Sequence, residues 1–307
     1  PLKVEAQKRV FPVSECAPDV VAVLETQLAQ IKVEVRTGVS VRKIVAADGR
    51  IEKVQTSVGD FSARSYILAT GGVSHPETGS TGDGFSWLAE LGHVTATPTP
   101  TIVPLKVKEG WVKQLAGTSI AAMKITFFVR GAKKFSRTGA LLFTHFGISG
   151  PTILNSAGKV ADLLQEGSVT AALDLYPEHD IGALDRKIME IFDAHKNKLL
   201  KNVFKDIAPP GTSDALLALL PHIDPDTKVH SVTKEDRRQI VEFMKGVPMT
   251  ITGLMGFDRA VVADGGLSLS EVDTRTMRSR LYENLFVTGD LLHIRRPSGG
   301  YSLQLCW

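Results

Sequence analysis

The stretch ILATGGVSHPETGSTGDGFSWLAELG, from Ile67 to Gly92, decides the fold of this chain. An apolar run of β type ends in Gly71-Gly72, a second glycine cluster surrounds Asp83, and a helical pattern then runs to Gly92. Glycine lets a backbone approach another group closely, because it has no Cβ and accepts positive φ. Backbone N–H groups at the start of a helix favour an anion. The stretch therefore predicts a strand that leads into a site for a phosphate-bearing ligand.

The composition is typical of a soluble globular protein that can bury a substantial core and contain more than one domain. Of its 307 residues, 43% are apolar and 22% are charged. The 36 basic and 33 acidic residues give a net charge of +3, so there is no electrostatic case for nucleic acid or an anionic membrane as the main partner. We therefore expect neither nucleic acid nor membrane among the partners.

Further features of the whole chain favour a cytoplasmic location. No apolar run approaches the roughly 18 residues needed to cross a bilayer, and no charged and apolar leader precedes Val10. Cys16 and Cys306 lie far apart without metal-ligand spacing, which fits a reducing compartment. Because Pro1 is not a methionine and the chain ends on an apolar LQLCW, we expect it to be part of a longer polypeptide.

Periodicity divides the chain into an α/β part that is interrupted by two inserts. A helix is predicted over 18–30, an alternating strand over 31–36 and a β-meander over 39–69. The prolines of TATPTPTIVP discourage helix and central strand, so we place a boundary after residue 97. The predicted ranges are a first α/β part (1–97), an antiparallel barrel or sandwich (98–176), a helical insert (177–246), a return to the barrel (247–262) and a second α/β part (263–307).

The helical insert carries clear helix signals. Helices are predicted over 181–204, 214–220 and 233–245. Thr233 is a good N-cap for the last of them, because Asp236 follows three residues later.

Two predicted strands of the α/β part end alike. One leads into Thr70-Gly71-Gly72 and the other into Thr288-Gly289-Asp290. Ligands of open α/β sheets lie beyond the carboxyl ends of strands, so these two ends can line one crevice. An aspartate there can accept hydrogen bonds from sugar or ribityl hydroxyls. The alternative is that both are ordinary glycine-containing turns and that Asp290 caps a helix.

Other residues are weaker candidates for chemistry. Arg295 and Arg296 precede a Gly-Gly break and suit an anionic group, although paired loop arginines are often only solvated. His145 lies between a strand end and a helix start, where it is either a proton donor or substrate ligand, or a packed turn residue. Ser149 stands in GISGP, which does not match the G-x-S-x-G nucleophile elbow. The sequence has no G-x-G-x-x-G fingerprint, no P-loop and no metal-ligand spacing, so no metal is predicted.

The same residues resemble those of one bacterial family, the aminoacetone-oxidase-like, BaiN/YhiN-type FAD-dependent oxidoreductases. The resemblance runs in order from about Arg9 to the last residue. Its blocks are RVFPVS (Arg9 to Ser14), ILATGGVSHPETGSTGDG (Ile67 to Gly84), LLFTHFGISGP (Leu141 to Pro151), GGLSLSEVDTRTM (Gly265 to Met277) and LFVTGD…PSGGY (Leu285 to Tyr301). It implies a glutathione-reductase-like FAD-binding domain, incomplete here, that is interrupted by an HI0933-like insert of a β-barrel and a helical bundle.

The resemblance also implies which residues contact the cofactor. The expected contacts are Thr70, Gly71 and Gly72 at the flavin nucleotide, Gly289 and Asp290 at the ribityl or pyrophosphate region, Val41 near the adenine, and Gly299, Gly300 and Tyr301 beside the isoalloxazine. His145 and Tyr301 are the candidates for proton transfer. Arg295 and Arg296 are the candidates for binding an anionic reduced flavin or a carboxylate-bearing substrate.

The chain departs from the family in three places. In the family a β-α-β unit with the glycine fingerprint precedes the RVFPVS block, and the chain continues beyond the Gly-Gly-Tyr block into a helix. This sequence lacks the β-α-β unit, and it lacks that helix after Trp307. FAD binding by this chain alone is therefore an open question. Members also usually carry Glu and further acidic or small residues where this chain has Asp290 and the run from His293 to Arg296.

The sequence predicts an FAD-dependent oxidoreductase that transfers hydride between the flavin and a small organic substrate, with NAD(P)H as a candidate donor. One alternative is a fragment or scaffold module without flavin that acts through its insert domains. Another is a hydrolase built on Ser149 and His145, which requires a hydrogen bond between them. The oligomeric state and the substrate are left open.

Overall fold

A computed structural model of the chain describes residues 1–5, 8–295 and 300–306. The chain folds into two compact units. We call them the sheet unit, which comprises Pro1–Gly72, Gly82–Thr97 and Gly265–Trp307, and the barrel unit, which comprises Val73–Thr81 and Pro98–Asp264. This division resembles the predicted ranges but assigns residues 73–81 to the barrel unit instead of the α/β part.

The helices and strands follow one another in this order. The first part of the sheet unit contains β1 (Leu2–Val4), β2 (Val10–Pro12), α1 (Ala17–Gln30), β3 (Val41–Ala47), β4 (Arg50–Thr56), β5 (Gly59–Phe61), β6 (Tyr66–Leu68) and α2 (Asp83–Glu90), and β7 (Thr95–Thr101) continues into the barrel unit. The barrel unit contains β8 (Leu105–Val107), α3 (Trp111–Gln114), β9 (Ser119–Val129), β10 (Ala132–Thr144), β11 (Gly147–Ser149), α4 (Pro151–Leu154), α5 (Ala157–Glu166), β12 (Val169–Asp174), α6 (Ile181–Ala194), α7 (Leu200–Ile207), α8 (Ser213–Leu217), α9 (Lys234–Met244) and β13 (Val247–Leu254). The chain returns through β14 (Val262–Leu267) to β15 (Val272–Asp273), β16 (Arg278–Ser279), β17 (Leu285–Val287) and α10 (Tyr301–Cys306).

The sheet unit is organised around a four-stranded sheet of order β15-β16-β17-β6, in which β17 and β6 pair in parallel. Its core includes Leu68, Leu88, Val287 and Leu291, all buried. A separate antiparallel meander, β3-β4-β5, lies where the sequence predicts one. The likeness to glutathione reductase stays a prediction.

One buried side chain links the meander to the sheet. The amide of Asn284, the residue before β17, accepts a hydrogen bond from the backbone N–H of Ile51 at 2.8 Å and donates one to the carbonyl of Ile51 at 2.9 Å. The side chain of Asn284 therefore takes the place that a strand residue would occupy opposite Ile51 of β4.

Six strands of the barrel unit close into an antiparallel barrel of order β10-β11-β8-β13-β12-β9. Alternate side chains of each strand point inward, and Ile125, Phe127, Phe143 and Leu173 are fully or almost fully buried. Gly147 begins β11 at a point where no side chain fits, because a Cβ would overlap the carbonyl oxygen of Leu105 and lie 2.9 Å from the nitrogen of Val107.

The helical part of the barrel unit follows its sequence signals except at one break. The predicted start at Thr233 is confirmed, because its hydroxyl accepts from the N–H of Asp236 and the Asp236 carboxylate accepts from the N–H of Thr233. The continuous helix predicted over 181–204 is wrong, since α6 ends at Ala194 and α7 begins at Leu200. The intervening residues bond to the 228–230 segment instead, through the carbonyls of Lys196 and Lys198.

One strand prediction near the start of the chain is also wrong. Residues 31–36 alternate in sequence but form no strand, and all of them are exposed, so their apolar positions have no buried face to cover. The prolines of TATPTPTIVP do not form a helix or a central strand, in agreement with the sequence, although β7 is an edge strand that contains Pro98 and Pro100. It pairs with β14 in a two-stranded sheet, where prolines two residues apart can both direct the missing N–H toward the unpaired edge.

An ion pair between α6 and α9 predicts a pH-dependent stability. Arg237 donates from Nε and a terminal nitrogen to both carboxylate oxygens of Asp185, at 2.7 and 3.3 Å. These bonds lower the pKa of Asp185 below its usual value. The carboxylate therefore adds stability above the unfolded-state pKa of about 3.9, and this contribution is lost as pH falls through the lower folded-state pKa.

We expect Asp185→Asn to cost about 0.2–1 kcal/mol of unfolding free energy at pH 7, because the pair is partly solvated. The cost should shrink as pH falls below about 3.9 and disappear once pH is below the folded-state pKa of Asp185, where both proteins carry a neutral side chain at this position. Urea unfolding across this pH range measures the difference. Asp193→Asn, an exposed site on the same helix, is the control, and a pH-independent cost of Asp185→Asn would contradict the prediction.

Candidate functional site

The two glycine-containing strand ends predicted to line one crevice lie side by side. Because β6 and β17 pair in parallel, both strands leave the sheet at the same edge. The N–H of Thr288 donates to the carbonyl of Leu68 at 3.1 Å, which extends the pairing by one residue. A Cβ at Gly72 would lie 3.4 Å from the Cβ of Asp290. The structure thus brings the Thr70–Gly72 and Thr288–Asp290 segments into contact.

Both segments turn at a glycine with positive φ. Gly71 has a φ of +74° and Gly289 a φ of +72°, values that other residues adopt only at a cost. Leu68 and Val287 are buried, whereas Gly71 and Asp290 are only half-buried. The turns therefore carry the backbone from the core of the sheet to a partly exposed edge, where a ligand can reach it.

Helix α2 crosses these strand ends at Gly84. A Cβ at Gly84 would overlap the hydroxyl of Thr70 and lie 2.7 Å from a methyl carbon of Leu291. Gly266 makes a second close approach on the other side of Leu291, where a Cβ would overlap the Leu291 carbonyl oxygen and lie 2.8 Å from the Phe85 ring. The glycine cluster around Asp83 predicts a close approach, but the partners of Gly84 and Gly266 were not predicted from the sequence.

A cavity of about 420 Å³ lies within the sheet unit beside the end of β6. Its size falls within the range of small-molecule sites. Its wall is largely apolar, with a few polar side chains. The lining residues are Val39, Ser40, Val41, Ile44, Val54, Tyr66, Ile67, Leu68, Thr70, Asp83, Trp87 and Leu285. Two predicted cofactor contacts that lie far apart in sequence, Val41 and Thr70, therefore share one cavity.

The remaining predicted contacts lie toward the C-terminus. Gly300 has a φ of +90° and precedes α10, whose first residue is the exposed Tyr301. The last residue of α10, Cys306, places its sulfur 3.7 Å from the Oδ1 atom of Asp290, so this helix lies along the Gly289–Leu291 turn. Arg295 is exposed. Arg296 and Gly299 lie outside the described residues.

His145 belongs to the barrel unit and sits at an exposed turn. It lies in the two-residue turn between β10 and β11, with its ring edge-on to Phe146 at 4.9 Å between centroids. Ser149 pairs with Leu142 in the barrel. Within the described part of the chain, His145 and Ser149 share no hydrogen bond, so the requirement of the hydrolase alternative is not met. A role for His145 in proton transfer stays a prediction.

The sequence analysis also missed a buried polar network in the sheet unit. His93 lies with Nδ1 3.1 Å from a carboxylate oxygen of Glu271 and Nε2 3.1 Å from the hydroxyl of Ser279. That hydroxyl already accepts the N–H groups of Leu281 and Tyr282, so its own hydrogen points to Nε2 and His93 donates from Nδ1 to Glu271.

The order serine, histidine, carboxylate matches a hydrolase triad, but Ser279 is 4% exposed and is not among the residues that line the cavity. The network instead fixes the chain just after α2, because His93 follows that helix by three residues. It therefore helps to hold α2, whose residues Asp83 and Trp87 line the cavity.

In the described part of the chain, no group of three His, Cys, Asp or Glu side chains is placed to hold a metal ion. No helix among the same residues combines the length and the apolar character needed to cross a bilayer.

The chain is similar along its whole length to known proteins. Residues 1–307 match the family model of the HI0933-like protein Rossmann domain. The chain is 29% identical over 304 residues to the 3-dehydro-bile acid delta(4,6)-reductase of Clostridium scindens, covering 97% of this chain and 72% of that protein. It is 26% identical over 296 residues to the ribosomal RNA dihydrouridine synthase of Haemophilus influenzae, covering 95% and 71%. It is also 26% identical over 242 residues to the protein of that name in Escherichia coli, covering 78% and 57%.

The close approach at Gly84 predicts that alanine lowers the unfolding free energy there, whereas at Gly182, which has space for a methyl group, alanine should raise it. Alanine favours a helix over glycine by about 1 kcal/mol, yet we expect Gly84→Ala to lower the unfolding free energy by about 1–3 kcal/mol, because the methyl group displaces Thr70 and Leu291. Gly182→Ala in α6 is the matched control, since its Cβ would make only ordinary contacts at 3.5 and 3.6 Å. Urea unfolding of both variants is the measurement, and a Gly84→Ala protein as stable as the wild type would contradict this account.

Proposed function

The chain belongs to the HI0933-like Rossmann-domain family, and from this premise we propose that it is an FAD-dependent oxidoreductase. The observation that carries the proposal is the contact between the Thr70–Gly72 and Gly289–Asp290 strand ends. Strand ends of this kind, with glycines that expose backbone groups, suit a dinucleotide laid across the edge of the sheet. The resemblance to the C. scindens reductase supports the same class of activity.

The residues present fit FAD. The cavity beside β6 offers apolar walls, including Val41, and a few polar groups, including Ser40 and Thr70, which suits a flat heterocycle attached to a sugar. The positive-φ turns at Gly71 and Gly289 present backbone rather than side chains to a phosphate. The carboxylate of Asp290 would accept hydrogen bonds from ribityl or ribose hydroxyls.

Bound FAD would supply the capacity to accept or donate a hydride. The chain's own residues would bind and orient the substrate, hold charge and move a proton. Arg295, an exposed cation five residues after Asp290, would attract an anionic substrate group. His145 and Tyr301 remain the candidates to give a proton to the substrate. NAD(P)H is the proposed source of the two electrons.

The names of the relatives suggest a substrate class for this chain. A delta(4,6)-reductase that acts on a 3-dehydro-bile acid, and a synthase of dihydrouridine, both saturate a carbon–carbon double bond conjugated to a carbonyl group. We therefore propose a conjugated carbonyl compound as substrate. The hydride would add to the carbon remote from the carbonyl and a proton to the adjacent carbon, so that two electrons from NAD(P)H and one proton complete the reduction.

Flavin retention tests the cofactor assignment. The protein as encoded in its gene, purified with added FAD, should keep flavin absorbance bands after desalting. Asp290→Ala should weaken FAD binding about 10- to 100-fold, because a hydrogen bond to a charged group contributes about 1.5–3 kcal/mol. Asp258→Ala, at an exposed carboxylate of the barrel unit, is the control. A folded wild-type protein that stays colourless would overturn the assignment and favour the scaffold alternative.

Turnover tests the substrate class. Under anaerobic conditions NAD(P)H should bleach the flavin bands, and an α,β-unsaturated ketone should restore them, because it takes the electrons up. A saturated ketone of the same skeleton is the control and should leave the flavin reduced. Restoration by both ketones, or by neither, would show that the carbon–carbon double bond is not what the enzyme reduces.

A further inference from the structure

Positive charge is concentrated in one segment of the barrel unit. The whole chain has nearly equal numbers of basic and acidic residues, 36 and 33, yet residues 110–161 contain no aspartate or glutamate. The basic residues of this segment are Lys113, Lys124, Arg130, Lys133, Lys134, Arg137 and Lys159. Most of them lie on one element, the long hairpin formed by β9 and β10.

The register of the hairpin places polar and basic side chains on its outer face. Residues directly opposite in an antiparallel pair share a face of the sheet. Ile125, Phe127 and Val129 are buried and face the barrel interior, so the alternate residues of β9 face outward. The outward pairs across the hairpin are Lys124 with Thr138, Thr126 with Ser136, and Phe128 with Lys133. The face therefore combines ammonium groups, hydroxyls and one half-buried aromatic ring.

Few acidic groups neutralise this face. Glu166, at the end of α5, takes Lys134 as an ion-pair partner at 2.6 Å. Asp174, opposite Lys124 in the sheet, is instead 2.7 Å from the ammonium group of Lys245. Within the described residues, the two outward-facing lysines Lys124 and Lys133 have no carboxylate within 4.0 Å. Their charges are therefore available to an anionic partner.

We propose that the outer face of the β9–β10 hairpin is a docking surface for RNA. Lysine binds phosphates of a nucleic-acid backbone, hydroxyl side chains add hydrogen bonds to phosphate and sugar, and an aromatic ring with an accessible edge or face contacts a base. This inference rests on the proposed function, since a uracil base is a conjugated carbonyl compound carried on a polyanion. The resemblance to two ribosomal RNA dihydrouridine synthases supports RNA over other polyanions.

The test compares two variants with the same change in charge. The first, Lys124→Gln/Lys133→Gln, alters the outer face of the hairpin. The second, Lys198→Gln/Lys205→Gln, alters exposed lysines of the helical part and is the matched control. Binding of a fluorescein-labelled, unstructured RNA of about 20 nucleotides, a length that can cover one single-strand site, is followed by fluorescence anisotropy from low to physiological salt. Thermal unfolding checks that both variants are folded.

We expect the hairpin variant to bind at least about tenfold more weakly than the wild type and to lower the slope of log affinity against log salt by about 1.4, because each of the two lost contacts with a single strand removes about 0.7. The control should bind like the wild type. Equal binding by both variants, an equal loss in both, or no binding by the wild type would overturn the proposal. So would binding of the wild type to phosphatidylglycerol vesicles but not to RNA.

The same samples separate this proposal from the proposed function. The hairpin variant should retain FAD and reduce a free α,β-unsaturated ketone at the wild-type rate, because none of its substitutions lies in the sheet unit. Loss of RNA binding with flavin chemistry intact supports the docking surface. If the wild type is colourless but binds RNA, and the hairpin variant does not bind RNA, the flavin assignment is overturned and the docking surface is still supported.

Discussion

The parallel pairing of β6 with β17 is the interaction on which the rest of the sheet unit depends. Strands that run in the same direction end at the same edge, so their following turns must share one small space. Gly72 and Asp290 meet there, and α2 crosses them where only a hydrogen atom fits, at Gly84. The cavity beside β6 follows from the same arrangement, because its wall combines residues of β6 and β17 with the meander and α2.

The sequence predicted features whose cause is local and missed those whose cause is distant. The start of α9 at Thr233 depends on two side chains three residues apart, so it was visible in the sequence. The break after Ala194 depends on hydrogen bonds to residues 228–230, which periodicity does not detect. Residues 31–36 were predicted as a strand that does not form. Their alternating pattern suits a strand, but a strand also needs a neighbouring strand to pair with, which the pattern does not provide. At the candidate site, the glycines of the two strand ends and the cluster around Asp83 were found, whereas the close contacts of Gly84 and Gly266 and the hydrogen bonds of His93 were not. The importance of these residues lies in what packs against them.

Net charge is a coarse guide to possible partners. A total of +3 argues against an association driven by the charge of the whole protein, yet it says nothing about how charges are distributed. In this chain the hairpin of the barrel carries lysines and arginines, while carboxylates are supplied by neighbouring elements such as α5 and β12. The names of the relatives and the local distribution of charge are therefore the better guides to a substrate. Net charge is informative mainly about solubility.

The amide of Asn284 has a consequence for how the sheet unit can change during evolution. Its two bonds to Ile51 require a donor and an acceptor at a fixed distance from the backbone, a combination that only asparagine provides at this length. Aspartate lacks the donor, glutamine is one carbon longer, and leucine would leave two buried peptide groups unsatisfied. No conservative substitution of Asn284 therefore keeps both hydrogen bonds to Ile51. Homologues with another residue at this position must connect the meander to the sheet through different contacts.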